Sequence, residues 1–229
     1  MNISLIIFCY NELGSTKSLI LSGAEVLKAI SINYEIIVID DGSTDGSADA
    51  AEETARTFNG NVRVVKHAVN LGIGMALRTG YSSAKYEYVC AVPGDGQFNV
   101  QQLYALKQFD DTIYYSFYRV TTNYTFYRNL LTWLNRLFNQ HVLGIYLRDV
   151  NWVKVYRKSQ LEMVNPELKS SLIESEICAK LYKRGVMPLE IPSEYLSRTY
   201  GTAKGGNWKT LRKAIRETWK LFYVVHKPG

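Results

Sequence analysis

Cysteine, proline and long apolar runs are scarce in this 229-residue sequence. The three cysteines, Cys9, Cys90 and Cys178, are far apart and odd in number, which excludes a disulfide framework or a closely spaced zinc site and favours a reducing, cytoplasmic environment. No apolar run approaches the roughly 18–20 residues of a membrane-spanning helix. The apolar run Met1–Tyr10 lacks a basic lead and a cleavage site, so we interpret it as a strand and not as a signal peptide.

Positive charge is concentrated at the C-terminal end of the chain. The formal net charge is +6, and residues 201–229 contain seven basic residues and one acid. The other 200 residues contain 20 basic and 20 acidic groups. A local excess of this kind favours an anionic partner, such as phosphate, a lipid headgroup or nucleic acid.

Apolar strand patterns alternate with helical patterns in the first half of the chain. Strands are predicted over 3–8, 35–39, 62–65, 86–92 and 112–118, and helices over 16–30, 45–58 and 74–84. This order predicts an α/β fold with a doubly wound, mostly parallel sheet flanked by helices. Polar clusters at Tyr10–Glu12, Asp40–Asp45 and Asp95–Gln97 follow three of the strands, and ligands of such sheets bind at the carboxyl ends of strands.

The second half of the chain has a different pattern. It predicts a long helix over 124–143, a strand over 148–156, a helix over 171–184, a strand over 186–191 closed by Pro192, and a final helix over 207–225. No linker or internal repeat interrupts it, so we predict one domain.

Two acidic clusters suggest binding chemistry. Asp95 follows a strand on a tight turn, and Gln97 adds a second oxygen, which together suit a hard cation completed by phosphates and water. The alternative is an Asp-Gly turn bonded to its own backbone. Of Asp40 and Asp41, one can face a ligand while the other, with Ser43, Thr44 or Asp45, caps the next helix.

These clusters also carry a resemblance. The segments 8–12, 38–45, 70–76 and 93–97 resemble, in order and spacing, the inverting glycosyltransferases of family 2 type with the GT-A fold. Within that family the chain is most similar to the dolichyl-phosphate mannose synthase branch and its bacterial polyprenyl-phosphate relatives, with later matches at Glu176, Gly185, 190–192 and 198–204. The resemblance spans residues 3–204.

The resemblance implies one GT-A domain with a nucleotide-sugar half (1–118), an acceptor half (119–206) and a basic amphipathic helix (207–229). It implies a GDP- or UDP-sugar donor, Mg²⁺ or Mn²⁺, and a polyprenyl-phosphate or other lipid-linked acceptor. The implied site residues are Tyr10, Glu12 and Asp41 for the nucleoside, Asp95 and Gln97 for the metal and donor diphosphate, Arg198 and Lys204 on a mobile segment that closes over that diphosphate, and Arg119, Arg128 and Thr132 for the acceptor phosphate.

The acceptor decides whether the reaction needs a base. A lipid phosphate is already an anion, so in-line positioning and charge stabilisation suffice. A hydroxyl acceptor needs a general base, for which Asp149 and Glu176 are the candidates, with ordinary hydrogen bonding as the alternative for each.

Three positions depart from the family pattern. Pro93 stands where the family's D-x-D-x-Q has its first Asp, Phe8 stands where a Pro is common, and 151–154 differs from the usual Ser-Gly-Phe-like stretch. Two other functions therefore stay open, namely extension of a lipid-linked saccharide or polysaccharide, and a GT-A domain that binds a nucleotide-sugar or a partner without turnover.

The final predicted helix has an apolar stripe of Trp208, Leu211, Ile215, Trp219 and Phe222 beside five basic residues. This pattern is typical of a helix lying on an anionic membrane, and it predicts a peripheral protein at the inner face. The alternative is a stripe that packs on the domain. We expect no nucleic acid partner, because the aromatic residues do not alternate with the basic ones.

Overall fold

The structure, a computed structural model, describes residues 1–120, 133, 136–197 and 208–227, and of 208–215 the backbone alone. Seven strands form one sheet: β1 (Asn2–Cys9), β2 (Asn33–Asp40), β3 (Val62–Lys66), β4 (Tyr88–Pro93), β5 (Ile113–Arg119), β6 (Lys154–Arg157) and β7 (Met187–Ser193). Their order across the sheet is β3-β2-β1-β4-β6-β5-β7, and β6 alone among them runs antiparallel to its neighbours. The predicted α/β fold with a mostly parallel sheet is confirmed.

Six α-helices have both ends within the described residues: α1 (Leu13–Ile30), α2 (Ser47–Ala55), α3 (Ile73–Ser83), α4 (Lys158–Val164), α5 (Ile173–Lys183) and α6 (Trp208–His226). Two 3₁₀ helices cover Arg56–Phe58 and Val100–Ala105. Residues 133 and 136–142 are also helical, while the rest of the helix predicted over 124–143 lies outside the described residues or, after 142, is not helical.

The central strands are apolar on both faces because helices cover both sides of the sheet. Side chains alternate along a strand, so Leu5 and Ile7 of β1 pack with α1, whereas Ile6 packs on the other side with α3 and α5. Ala24 of α1 is buried in one helical layer, and Leu77 of α3 is buried in the other. Continuous burial of this kind explains why the first strands appear in the sequence as unbroken apolar runs.

The connectivity creates a switch point between β1 and β4. From β1 the chain moves outward through β2 to β3, and then returns across α3 to β4 on the other side of β1. The loops that leave β1 and β4 therefore diverge and open a crevice at the carboxyl ends of these strands.

The strand predicted over 148–156 was wrong in extent, since β6 begins only at Lys154. The Lys154 ammonium is fully buried and donates to the carbonyl oxygens of Val150 (2.5 Å) and Trp152 (3.0 Å). It lies 3.8 Å from a Glu174 carboxylate oxygen. The ammonium thus holds the preceding residues as a loop, and this contact depends on a buried charge that periodicity does not reveal.

Other predicted boundaries also moved. The helix predicted from Asp45 begins at Ser47, after Gly46 in a left-handed conformation, although Asp45 still accepts a 3.0 Å bond from the Ser47 N–H. The strand predicted to close at Pro192 continues to Ser193. Proline is tolerated there because β7 lies at the edge of the described sheet. Helix α4 and the 3₁₀ helix over 100–105 were not predicted.

The final helix, α6, packs on the domain through Leu221, Val224 and Val225, which are buried in the same layer as α5. The Lys183 ammonium donates to the Val225 carbonyl at 2.6 Å and ties the C-terminal turn to α5. Among the helices of the described residues, none is both long and apolar enough to cross a membrane.

Candidate active site

A cavity of about 470 Å³ lies at the switch point between β1 and β4. Its lining comes from the segments that follow β1, β2 and β4 and from the start of α3: Phe8, Cys9, Tyr10, Asn11, Glu12, Asp41, Asn70, Gly72, Ile73, Ala76, Pro93, Gly94 and Asp95. The fold therefore brings Tyr10, Glu12, Asp41 and Asp95 to one place, as their positions after strands predict. A larger cavity of about 630 Å³ lies at the opposite edge of the sheet, where β1, β4 and β5 begin, away from these polar clusters.

The loop after β1 is held in a left-handed turn. Asn11 has a φ of 56°, an unfavourable conformation for a residue other than glycine. Its side-chain oxygen accepts from Thr44 N–H at 2.8 Å, and its own N–H donates to Ser43 Oγ at 2.9 Å. These bonds offset the strain and join the loops that follow β1 and β2, which sets the positions of Tyr10 and Glu12 on the cavity wall.

The two acids after β2 have separate partners. Asp40 accepts from the Ser43 N–H at 3.0 Å and so closes the turn after β2, whereas the prediction that one of the pair caps α2 was wrong, since that helix begins after Gly46 without a side-chain cap. Asp41 is buried, and its carboxylate accepts from Leu71 N–H (3.0 Å) and Gly72 N–H (2.8 Å). Asp41 thereby fixes the loop before α3 while also lining the cavity.

A histidine supports Asp41 from behind. Nδ1 of His67 lies 2.7 Å from Asp41 Oδ1, and its Nε2 lies 2.9 Å from Thr79 Oγ1. Gly42 lets the loop after β2 pack closely on the loop after β3, because a Cβ at Gly42 would lie 2.6 Å from the Val69 carbonyl carbon. Sequence reasoning missed His67, whose only signal is its position directly after β3.

The loop after β4 carries the candidate metal ligands. Gly94 packs so closely that a Cβ would lie 2.7 Å from Cys9 Cβ, and its N–H donates to Phe8 carbonyl oxygen at 2.8 Å. Asp95 accepts from Gln97 N–H at 3.1 Å. This is the Asp-Gly turn foreseen as the alternative interpretation, and it coexists with a carboxylate on the cavity wall.

Gln97 is joined to a residue 98 positions away. Its side-chain N–H donates to the hydroxyl of Tyr195 at 2.6 Å. With the amide nitrogen committed to that hydroxyl, Oε1 is the atom suited to a cation. Among the described residues no three His, Cys, Asp or Glu side chains gather as a metal-binding group. Asp95 lines the cavity and Gln97 is not among its lining residues, but both offer oxygen atoms of the type that a hard cation takes together with phosphates and water.

Arg119 and Asp149 form a two-pronged ion pair. Nε of Arg119 donates to Asp149 Oδ2 at 2.6 Å, and Nη2 donates to Oδ1 at 3.0 Å. The guanidinium also stacks over Trp152 (4.8 Å to the ring centroid) and Tyr195 (5.6 Å). Two residues proposed for the acceptor side are thus brought together, and Tyr195 connects them to Gln97.

Glu176 is not brought to this site. It is fully buried, and its carboxylate accepts from Glu167 N–H (2.7 Å), Leu168 N–H (2.8 Å) and the Lys180 ammonium (2.7 Å). This placement corresponds to the ordinary hydrogen-bonding alternative. The other candidate residues, Arg128, Thr132, Arg198 and Lys204, lie outside the described residues.

The thiol on the cavity wall is unreactive in character. Burial, followed by the charge of nearby Asp40, raises the pKa of Cys9 far above its ordinary value. Burial likewise raises the pKa of Cys90 and Cys178. A thiol kept protonated is a poor nucleophile, so these cysteines do not suit covalent catalysis.

Comparison with known proteins agrees with this geometry. A family model described as Glycosyl transferase family 2 matches residues 4–168. Undecaprenyl-phosphate 4-deoxy-4-formamido-L-arabinose transferase of Edwardsiella ictaluri is 26% identical over 213 residues, which are 91% of this chain and 64% of the relative. Dodecaprenyl-phosphate galacturonate synthase of Rhizobium johnstonii is 22% identical over 240 residues, covering 100% of this chain and 70% of the relative.

Solved structures share the fold. Glucosyl-3-phosphoglycerate synthase from Mycobacterium tuberculosis, solved with Mn²⁺, UDP-glucose and phosphoglyceric acid, superposes with a TM-score of 0.72 at 16% identity over 100% of this chain and 81% of that one. Mannosyl-3-phosphoglycerate synthase from Rubrobacter xylanophilus gives a TM-score of 0.67 at 16% identity over 98% and 72%. The predicted GT-A fold is thereby confirmed. Since the family model covers well over half of the chain and its crevice has the polar residues predicted from the motifs, the protein belongs to glycosyl transferase family 2.

Proposed function

We propose that this protein is a metal-dependent, inverting glycosyltransferase that transfers a sugar from a nucleotide-sugar to a polyprenyl phosphate at a membrane surface. Both curated relatives described above are named for sugar transfer onto a polyprenyl phosphate. A structural neighbour was solved with Mn²⁺ and UDP-glucose, which supports a nucleotide donor and a divalent cation. The donor screen described below distinguishes GDP from UDP and identifies the sugar.

The cavity suits the donor. Its volume of about 470 Å³ lies within the usual range for small-molecule sites. Tyr10, Glu12 and Asp41 offer an aromatic ring and acidic groups for the nucleoside, and Asp95 lies on the same wall. We place the diphosphate between Asp95 and the start of α3.

A divalent cation, when bound by Asp95 and Gln97, would neutralise the charge that develops on the leaving diphosphate. Pro93 ends β4 and lines the cavity where the family pattern has a carboxylate, so Asp95 is the acid available in this loop. The cation is therefore expected to bind more tightly with the donor diphosphate than alone.

The single observation that carries the choice of acceptor is the pairing of Asp149. Both of its carboxylate oxygens accept from Arg119, and the other candidate base, Glu176, is buried behind three donors. An acceptor hydroxyl would need one of them to take a proton, whereas an acceptor phosphate needs none. Asp149 fixes one edge of the Arg119 guanidinium, and the rings of Trp152 and Tyr195 fix its plane. A guanidinium positioned in this way is suited to orient a phosphate.

Helix α6 suits a membrane surface. Its outer face consists of Arg216, Trp219, Lys220, Phe222 and Tyr223, all of them exposed. The aromatic members expose 72% (Trp219), 41% (Phe222) and 65% (Tyr223) of their area to solvent. Trp219 and Phe222 belong to the predicted stripe, and both are exposed. Exposed aromatic rings beside basic groups favour the interface of an anionic bilayer.

Donor binding tests the core of this proposal. GDP, UDP and their sugar conjugates are added with and without Mn²⁺, and the melting temperature is measured. A ligand present at 100 times its Kd adds about 2.7 kcal/mol to stability, which raises the melting temperature by about 5–10 °C for a chain of this size. One nucleotide with a metal-dependent shift supports the donor site, and no shift with any of them contradicts it.

Two variants locate the metal. Asp95→Asn keeps the oxygen that accepts from Gln97 N–H but removes the charge, so we expect the metal-dependent shift and turnover to vanish while the melting temperature without ligand hardly changes. Asp110→Asn is the matched control, because Asp110 accepts from Thr112 N–H in the same kind of turn at the opposite edge of the sheet. A loss in both variants would contradict the assignment.

Product chemistry tests the acceptor. With a labelled donor and polyprenyl phosphate, the expected product partitions into organic solvent and releases its sugar in mild acid, as a glycosyl phosphodiester does. Transfer only to an added lipid-linked saccharide, with a new linkage that resists mild acid, would instead indicate extension of a saccharide.

A further inference from the structure

Tyr195 lies between the two halves of the candidate site. It follows β7 and forms an isolated antiparallel bridge with Phe98, and the next residue, Leu196, donates its N–H to the Gln97 carbonyl oxygen at 3.0 Å. The segment that carries Tyr195 is therefore attached to the loop after β4 by its main chain. This attachment brings the phenol hydroxyl to the Gln97 side chain.

The ring of Tyr195 is held on two sides. Its centroid lies 5.5 Å from that of Trp152, at an interplanar angle of 62°, and 5.6 Å from the guanidinium carbon of Arg119. Trp152 is itself fixed, because its Nε1–H donates to Ser193 Oγ at 3.0 Å. A ring packed in this way holds its hydroxyl at a defined point.

The hydroxyl anchors the end of the Gln97 side chain. An amide can rotate by half a turn and exchange its oxygen and nitrogen, and only the oxygen can bind a cation. When Oε1 faces a cation, Nε2 points away from it, and the 2.6 Å bond from Nε2 to the Tyr195 hydroxyl then holds the side chain in place. In a site with Asp95 as its other protein ligand, the loss of this anchor should weaken binding of the cation.

We propose that Tyr195 is a positioning residue, which anchors the Gln97 side chain so that its amide oxygen can bind the divalent cation. The inference rests on the proposed metal-dependent function. Partners that orient metal ligands typically change metal affinity by about 10- to 100-fold when they are removed. Tyr195→Phe keeps the ring and its stacking but removes the hydroxyl, so it isolates this contribution.

The experiment is a titration with Mn²⁺ in the presence of saturating UDP or GDP, with free Mn²⁺ measured by electron paramagnetic resonance. Tyr195→Phe is expected to raise the apparent Kd for Mn²⁺ by roughly 10-fold. Gln97→Ala should raise it at least as much, and the double variant should be no worse than Gln97→Ala alone, because Tyr195 acts through that amide.

Tyr88→Phe is the matched control. Its hydroxyl donates to the Phe109 carbonyl oxygen at 3.0 Å, at the opposite edge of the sheet, so its loss should lower the melting temperature without changing Mn²⁺ affinity. Wild-type affinity in Tyr195→Phe, or additive losses in the double variant, would overturn the role of Tyr195. If the wild-type protein binds no Mn²⁺ with either nucleotide, the proposed metal site itself fails, and this inference fails with it.

Discussion

At the scale of single residues, the acids predicted for the site differ in their partners. Asp95 lines the cavity, Asp149 pairs with Arg119, and Glu176 is enclosed by backbone N–H groups and Lys180. A carboxylate that satisfies buried donors stabilises the fold, whereas one that lies on a cavity wall can meet a ligand. This difference separates the acids that we propose to meet a ligand from those that stabilise the fold.

Asp149→Asn tests whether Asp149 positions or acts as a base. If it holds Arg119 for an acceptor phosphate, the substitution should raise the acceptor KM by about 10-fold and lower kcat only a few-fold, since the neutral amide still accepts one bond from the guanidinium. A general base would instead lose about 10²–10⁴ in kcat. Steady-state kinetics with varied polyprenyl phosphate distinguish these outcomes.

Glu176→Gln is the companion variant. It removes a buried charge that accepts three bonds and leaves Lys180 without its closest carboxylate, so the free energy of unfolding should fall by about 1–3 kcal/mol. Urea unfolding measures that loss, and kcat/KM of the folded fraction should stay at the wild-type level. A large kinetic defect with unchanged stability would restore Glu176 as a catalytic candidate.

At the scale of elements, α6 has two faces with different environments. Leu221, Val224 and Val225 are buried against the domain, whereas Trp219 and Tyr223 are largely exposed. Trp219 and Phe222 of the predicted stripe are exposed, so sequence periodicity identified an apolar surface but not its partner. Deleting the helix would also remove core residues, and point substitutions on the outer face are the sharper test.

Arg216→Gln with Lys220→Gln should weaken binding to anionic vesicles. Each basic residue near such a surface contributes about 1 kcal/mol, so the pair should lower the partition coefficient by roughly 30-fold at low salt. Sedimentation with vesicles containing phosphatidylserine measures it. Trp219→Ser should weaken binding to neutral vesicles too, because its contribution is apolar.

The control for α6 uses exposed apolar residues elsewhere. Ile32 is 81% exposed and lies at the opposite edge of the sheet, beside the larger cavity. Ile32→Ser should leave vesicle binding unchanged. Equal binding of the wild-type protein and all α6 variants would contradict a role of this helix at the membrane.

At the scale of the whole molecule, buried tyrosine hydroxyls and cysteine thiols with raised pKa values limit stability at alkaline pH. Burial, reinforced by the charge of Glu174, raises the pKa of the Tyr81 hydroxyl well above its ordinary value. Burial also raises the pKa of Tyr114 and Tyr156. The three thiols are shifted in the same direction. The fold therefore retains protons that the unfolded chain releases above about pH 9.

These shifts predict a stability that is level up to about pH 9 and then falls. Between the unfolded and the folded pKa the unfolded state binds fewer protons, so each group lowers the free energy of unfolding by up to about 1.4 kcal/mol per pH unit. Urea unfolding from pH 7 to 11 measures the slope. Tyr156→Phe removes one such group, so its stability should decline less steeply, and equal slopes would contradict this account.

What the sequence by itself determined is local. Apolar runs and helical periodicity predicted the strands and helices of the first half, and the clusters that follow β1, β2 and β4 meet at one crevice because parallel strands end at the same edge. The pattern was less informative after residue 119, where the Lys154 ammonium and an edge position, and not periodicity, set the bounds of β6 and β7.

What only the tertiary structure decided is which distant groups meet. Arg119 pairs with Asp149 across 30 positions, and Gln97 reaches Tyr195 across 98. His67 joins Asp41 across 26 positions. No local pattern encodes such contacts, because they arise when separate strands enter one sheet and their loops are brought within hydrogen-bonding distance. The burial of Glu176 and the outward direction of Trp219 follow from packing in the same way.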